Sequence, residues 1–309
     1  MPLRSVFFPL GFAVEVLTNS ADVLLAAKTS WENYTEAFAG PPLQLKVGVS
    51  EADANPSVSA PVCRGQRNLV LMVADSENFG AADVGSGFAF GWFTTSTVQR
   101  NSFFRYHFLE ALTMVLLMGR HLTPIHAACV GRNGRGILLC GDSGAGKSSL
   151  AYACARRGWT YVTDDGSSLV RNRHDRLVVG NPHRIRFRDS GIELFPDLME
   201  ETLTPQVNGE LAIELATASR PEISRGQSMT IDHILFLNRH ASGPPSISPF
   251  PANQALAWLE QMIVYGEPGL RAEQRASLND LLGAGVHEFK YSNLEQAVDR
   301  LTTLVDKGM

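Results

Sequence analysis

The sequence predicts an α/β protein: a mixed sheet with flanking helices, interrupted by a glycine-rich loop and preceded by a smaller β-rich N-terminal domain. Three observations predict it. Residues 125–163 run strand, turn, strand, glycine-rich loop, helix, strand, the alternation of an α/β layer. Asn133-Gly134 stands between two apolar runs; it is a two-residue hairpin signal, adding an antiparallel neighbour and making the sheet mixed. Residues 6–94 hold β-rich stretches separated by loops rich in Gly, Pro, Ser and Ala.

A length of 309 residues, at about 150 residues per domain, suggests two domains, which we place at 1–122 and 123–309. Hydrophobic residues make up 44% and charged residues 19%, enough apolar matter for a core and too little charge for a disordered chain. The net charge of −4 lacks the basic excess of a nucleic-acid binder, so no nucleic-acid partner is expected. No apolar run approaches the ~18 residues of a membrane span. The run Val6–Val14 resembles a weak signal peptide, but Glu15 follows it without a small-x-small site, so a first strand pair is expected instead. Cys63, Cys129, Cys140 and Cys154 include no C-x-x-C spacing. Buried free thiols in a reducing, cytoplasmic setting fit that pattern.

In the N-terminal domain, strands are expected over Val6–Val16, Leu43–Val49, Leu69–Val73 and Phe88–Thr94, loops over Glu51–Pro61 and Gly80–Gly87, and an apolar helix over 103–120. The following domain is expected to contain strands Ile125–Val130 and Gly136–Cys140, helix Lys147–Arg157 and strand Trp159–Thr163. Further strands are placed at Leu177–Val179, Arg184–Arg188, Leu211–Leu215 and His233–Leu237. A polar loop spans Ala216–Met229, a Pro-rich linker Ser242–Pro251, and a helix Asn253–Tyr265. Strand Val286–Tyr291 and helix Asn293–Lys307 close the chain.

The segment Gly141-Asp-Ser-Gly-Ala-Gly146-Lys147-Ser148 fits G-x-x-x-x-G-K-[ST]. Glycines let the backbone turn its N–H groups toward phosphate oxygens, and the helix that begins there adds its positive dipole end. The residues expected to bind the nucleotide are Gly141, Asp142, Ser143, Gly144, Ala145, Gly146, Lys147, Ser148 and Ser149. Lys147 reaches the terminal phosphates and the Ser148 hydroxyl can ligate Mg²⁺. Two further groups converge on the loop. A right-handed strand–helix–strand crossover brings the ends of strands 136–140 and 159–163 to one sheet edge, which places Asp164 and Asp165 beside the loop. A hairpin turning at Asn133-Gly134 sets His126 opposite Gly141, the loop's first residue.

Pro124-Ile125-His126, then GILLCGDSGAGKSS, then ARRGWTYVTDD resembles the catalytic domain of bacterial HPr kinase/phosphorylase, convincingly over residues 123–240. His126 stands fifteen residues before Gly141 and Asp164 seventeen after Lys147, as in that family. The resemblance implies a fold related to PEP carboxykinase and an ATP- and Mg²⁺-dependent transfer of phosphate to a protein serine. It implies Asp164 as general base, Asp165 and Ser148 at the metal, Lys147 on the phosphates, and His126 in the active site. It also implies assembly into a homo-oligomer. The chain departs from the family pattern at Ser149, where a Glu is usual. It departs again at Arg184-Ile-Arg-Phe-Arg-Asp-Ser-Gly191, where a Glu-Ile-Arg-Gly-Leu-Gly stretch is usual. It looks more like the divergent HPr-kinase-like group, some of which phosphorylate peptide precursors. The acceptor expected is therefore an HPr-like protein or a peptide precursor carrying a serine.

Other features remain open. Arg184, Arg186 and Arg188 fall on one face of a strand, either as a solvated face or as a clamp for phosphate or an acidic substrate. The strand HILFLNR ends without a carboxylate, which counts against motor-type and transporter-type ATPases. Two alternatives stand beside the serine kinase: a nucleotide-binding sensor without phosphotransfer, and a kinase acting on a small molecule.

Overall fold

In the structure, a computed structural model, the described residues are 1–51, 59–189, 191–205, 211–240, 242–263 and 266–307. The chain divides by contact into two compact units, Met1–Leu122 with Val264–Glu273, and Thr123–Ile263 with Gln274–Met309.

In the first unit, strands β1 (Leu3–Phe7), β2 (Phe12–Thr18), β3 (Phe38–Ser50), β4 (Val62–Gln66), β5 (Leu69–Val73), β6 (Phe79–Asp83) and β7 (Phe88–Thr94) form one sheet. Its order among the described residues is β1-β2-β3-β7-β6-β5-β4. The apolar N-terminal run is the expected strand pair, turning at residues 8–11, with Phe7 opposite Val14. Helix α1 (Ala21–Trp31) was not anticipated, although Val23, Ala26, Ala27 and Trp31 form its buried stripe. After α2 (Thr95–Gln99) comes one helical run: α3 (Asn101–Phe104), a π-turn over Arg105–Leu109, and α4 (Glu110–Arg120). The expected loop Gly80–Gly87 is corrected in its first half, which is strand β6. Its small residues read as a turn, yet they are what the packing needs: a Cβ on Gly80 would lie 2.7 Å from Leu112 Cδ1 of α4. Of the expected loop Glu51–Pro61, residues 52–58 lie outside the described residues.

The second unit is built on a mixed sheet. Its strands are β8 (Leu122–Arg132), β9 (Arg135–Cys140), β10 (Thr160–Thr163), β11 (Gly166–Val170) and β12 (Leu177–Val179). A smaller sheet holds β13 (Arg184–Phe187), β14 (Leu203–Pro205) and β15 (Leu211–Ala216). The large sheet is completed by β16 (Ser224–Arg225), β17 (Ser228–Arg239), β18 (Ser246–Pro249) and β19 (Gly285–Tyr291). Among the described residues its order is β16-β10-β8-β11-β12-β17-β19-β18, with β9 bonded to both β8 and β17. Five of the six β9 residues are buried, as the run GILLC requires of a strand covered on both faces. Helices α5 (Lys147–Arg156), α6 (Gly191–Leu194), α7 (Ala252–Leu259) and α9 (Leu294–Lys307) accompany it, as does α8 (Pro268–Leu281) from Gln274 on. One core joins Leu139, Leu235 and Phe289 to Leu150 of α5, Leu301 of α9 and Phe187 of β13. Another joins Leu138, Ile234 and Phe236 to Ala255 and Leu259 of α7 and to Leu278 and Leu281 of α8.

Three expectations are corrected here. The Pro-rich segment Ser242–Pro251 contains β18, an edge strand on β19, where Pro249 is tolerated because an edge leaves backbone groups unpaired. The polar stretch Ala216–Met229 contains β16 and the start of β17. The helix Asn253–Tyr265 ends at Leu259, followed by a 3₁₀ turn over Glu260–Met262, and residues 264–265 lie outside the described residues. Helix α8 was not anticipated. Cys129, Cys140 and Cys154 are buried free thiols, and Cys63 is an exposed one. No helix among the described residues is long and apolar enough to cross a membrane.

Candidate active site

The hairpin fixes the site's register. Asn133 and Gly134 both have positive φ, 53° and 77°, as a type I′ turn requires. The β8–β9 pairing runs from Arg132↔Arg135 to Ala127↔Cys140, so the next pair sets His126 opposite Gly141. Strand β10 is also antiparallel to β8. Strands β9 and β10 are therefore parallel, lie either side of β8, and deliver their C-terminal ends to one edge.

At that edge the chain leaves β9 through the loop and enters α5. Gly146 forms the helix start with φ 96° and no capping side chain. A Cβ there would lie 2.5 Å from the Tyr291 hydroxyl, which donates to Ala145 O at 3.2 Å. Glycine is thus required twice, by conformation and by contact. Asp142, Ser143 and Gly144 are exposed, and Ala145, Ser148 and Ser149 half-buried, so the loop presents itself outward.

Lys147 is buried at the centre. Its ammonium donates to Gly141 O at 2.8 Å, to Asp142 O at 3.4 Å and to His126 Nε2 at 3.1 Å. Because Nε2 accepts, the proton of a neutral imidazole is on Nδ1, which faces Asp165 Oδ1 at 3.1 Å. Asp165 Oδ1 is 4.0 Å from the ammonium. Burial pushes the Lys147 pKa down, Asp165 opposes that shift, and Arg188 adds to it.

The two adjacent acids face different ways. Asp165 is 58% exposed and turned to His126 and Lys147. Asp164 is buried. Its Oδ1 accepts from the Tyr161 hydroxyl at 3.2 Å and its Oδ2 from the Arg186 N–H at 2.9 Å. Burial raises the Asp164 pKa, and the Arg186 N–H partly opposes this. Tyr161, itself pushed well up by burial, shares its single hydroxyl proton between Asp164 Oδ1 and Arg184 O, the latter at 2.8 Å. The pair is therefore one fixed acid and one accessible acid.

Two further side chains enter the site. The Trp258 indole N–H of α7 points to Asp142 Oδ1 at 3.4 Å, and its ring lies 6.5 Å from the His126 ring. Arg188 donates to Ser143 Oγ at 2.7 Å. Trp258 carries no motif that could have marked it. The three arginines looked alike in sequence, and only their partners separate them.

Among the described residues no group of three or more His, Cys, Asp or Glu side chains gathers as a metal cage. Mg²⁺ does not need one, since it is commonly held by one or two carboxylates, water and substrate phosphates. An exposed Asp165 carboxylate and the Ser148 hydroxyl at the start of α5 are oxygen donors of that kind, so the residues present fit the ion.

A glycine-rich loop opening a helix at the edge of a mixed sheet, with an imidazole and a carboxylate beside its lysine, is an arrangement whose chemistry suits phosphate. Residues 120–188 match the HPr Serine kinase C-terminal domain family. The chain is similar to the HPr kinase/phosphorylase of Halalkalibacterium halodurans, 27% identical over 178 residues, or 54% of this chain and 57% of that protein. It is 35% identical over 74 residues to that of Bacillus cytotoxicus, covering 23% of this chain and 24% of the relative. The matches thus span about half, or less, of these relatives' length. A solved HPr(Ser) kinase/phosphatase from Coxiella burnetii aligns over 60% of this chain and 99% of its own, at 13% identity and a TM-score of 0.30. Over residues 120–188 the chain is similar to that kinase family, and this segment holds His126, the glycine-rich loop, the acid pair and Arg188.

Proposed function

We propose that the protein is an ATP- and Mg²⁺-dependent kinase that transfers the γ-phosphate to a serine hydroxyl of a protein or peptide. The observation that carries this reading is the chain Lys147–His126–Asp165 across the mouth of the phosphate loop. The loop N–H groups and Lys147 hold phosphate oxygens. Ser148 and Asp165 hold Mg²⁺, which when bound neutralises charge on the transferring group. The serine oxygen forms a bond to the γ-phosphorus as the bond to the ADP oxygen breaks, and its proton passes to a carboxylate.

Asp164 is the proposed base. Its raised pKa suits a proton acceptor, and each of its oxygens, with one donor bound, keeps a lone pair. His126 holds Asp165 and the Lys147 ammonium in register. A second reading exchanges the acids, and the greater exposure of Asp165 favours it. The two readings separate on the pH profile: the acid limb of kcat disappears in Asp164→Asn if Asp164 is the base, and in Asp165→Asn if Asp165 is.

The acceptor is an HPr-like protein, in line with the relatives' name, or a serine-bearing peptide precursor. Incubation with γ-labelled ATP, Mg²⁺ and both kinds of acceptor tests the reading. The expected result is phosphoserine in one of them, lost in Lys147→Ala. Tight ATP binding with neither labelled would instead favour a nucleotide sensor, a reading supported by the departures at Ser149 and at residues 184–191.

A further inference from the structure

The three arginines of β13 and its continuation have unequal surroundings. Arg184 Nη1 is 2.8 Å from Glu214 Oε1, and Arg186 Nε is 3.2 Å from Glu214 Oε2. One carboxylate on β15 therefore answers two guanidiniums. The strand register explains why it does not answer the third. Arg186 pairs with Glu214 and Phe187 with Ile213, so the next position sets Arg188 against Ala212, which has no charge to offer. Among the described residues Arg188 forms no ion pair. Its bond is to the neutral Ser143 hydroxyl, the third residue of the phosphate loop.

Lys147, by contrast, has its three N–H donors directed at Gly141 O, Asp142 O and His126 Nε2. Arg188 spends one donor of five on Ser143, and its planar fork matches two oxygens of a phosphoryl group. Arg188 also contributes to lowering the Lys147 pKa. Two like charges share this edge, and an anion with several oxygens relieves their repulsion. Phosphoryl transfer places charge on the equatorial oxygens, where a guanidinium supplied within the same chain is most effective.

We infer that Arg188 is a catalytic residue: it reaches over Ser143 to the terminal phosphoryl group of the nucleotide and holds its charge during transfer. Arg184 and Arg186, both held by Glu214, do not share the role. The inference rests on the kinase reading for its catalytic part and on the loop geometry for its binding part.

The test compares wild type, Arg188→Ala, Arg188→Lys and Arg184→Ala by calorimetry with ATP and with ADP, and by rate of phosphate transfer. Removing a donor to developing charge typically costs roughly 10²–10³ in kcat. That loss is expected for Arg188→Ala, together with a fall of about tenfold or more in its preference for ATP over ADP, at unchanged ADP affinity. Arg188→Lys, which folds with the charge retained but lacks the fork, is expected to recover the preference only in part. Arg184→Ala is expected to stay within about threefold of wild type. An Arg188→Ala variant that keeps its preference for ATP overturns the assignment, whatever its rate. A wild type that prefers ATP through Arg188 but labels no acceptor keeps the binding role and removes the kinase reading.

Discussion

Lys147 is a buried cation whose partners are two carbonyls and an imidazole, with a carboxylate only at 4.0 Å. Its charge is not neutralised by contact, which suits a group that receives phosphate. Lys147→Ala is expected to weaken ATP binding roughly 10–100-fold, the worth of a charge-assisted hydrogen bond; calorimetry checks it. Asp164 is the opposite case. Burial lifts its pKa above 3.8, so the folded chain holds that proton more tightly than the unfolded chain. Stability therefore falls as pH rises from 3.8 through the raised value, and at neutral pH the buried charge is a net cost. Asp164→Asn is expected to lower kcat roughly 10²–10⁴-fold while leaving the melting midpoint equal or higher. A lower midpoint would mean the carboxylate is structural. Lys147, His126 and the acid pair were legible in the sequence because spacing and hairpin register fix where they stand. The opposed orientations of Asp164 and Asp165 were not, because they depend on Tyr161 and on the Arg186 N–H of another sheet.

Among the elements, the loop and α5 are the most tightly specified. Gly146 combines φ 96° with the Tyr291 hydroxyl 2.5 Å from an added Cβ, whereas Gly134, at φ 77°, has nothing within 4 Å of one. Gly134→Ala is expected to cost about 1 kcal/mol, the left-handed strain alone. Gly146→Ala is expected to cost roughly 1–3 kcal/mol, with displacement of Tyr291 and weaker nucleotide binding. Chemical denaturation of both variants checks the order. The strands β8, β9 and β10 were legible because each is a bounded apolar run. Strand β6 was not, since Gly80, Ala81 and Ala82 carry little strand propensity, and Gly80 is dictated by the close approach of Leu112. Helix α8 was missed for a related reason: of its fourteen residues only Gln274, Leu278 and Leu281 are buried, too sparse a stripe to announce a helix.

Over the whole molecule, acid sensitivity is set partly by His233 and His287, on neighbouring parallel strands with ring centroids 6.0 Å apart. His287 is buried, and among the described residues neither ring nitrogen has a hydrogen-bond partner. Burial lowers the pKa of both; for His233 the charge of His287 and of Arg135 adds to this and Asp232 opposes it. The folded chain keeps these rings neutral, while the unfolded chain takes up protons below the ordinary value of 6.5. Stability is therefore expected to fall as pH drops below about 6.5. Melting midpoints between pH 7.5 and 5.5 should show this loss, reduced in His287→Phe. The order of the sheets could not be read from sequence, because it follows from pairing between distant segments. Phosphate transfer itself is the most direct measurement: γ-labelled ATP and Mg²⁺ with HPr and with serine-bearing peptides, followed by identification of the labelled residue. The expected result is phosphoserine in the wild-type reaction and none with Lys147→Ala; ATP bound tightly with no acceptor labelled, or label that persists in Lys147→Ala, would contradict the kinase assignment.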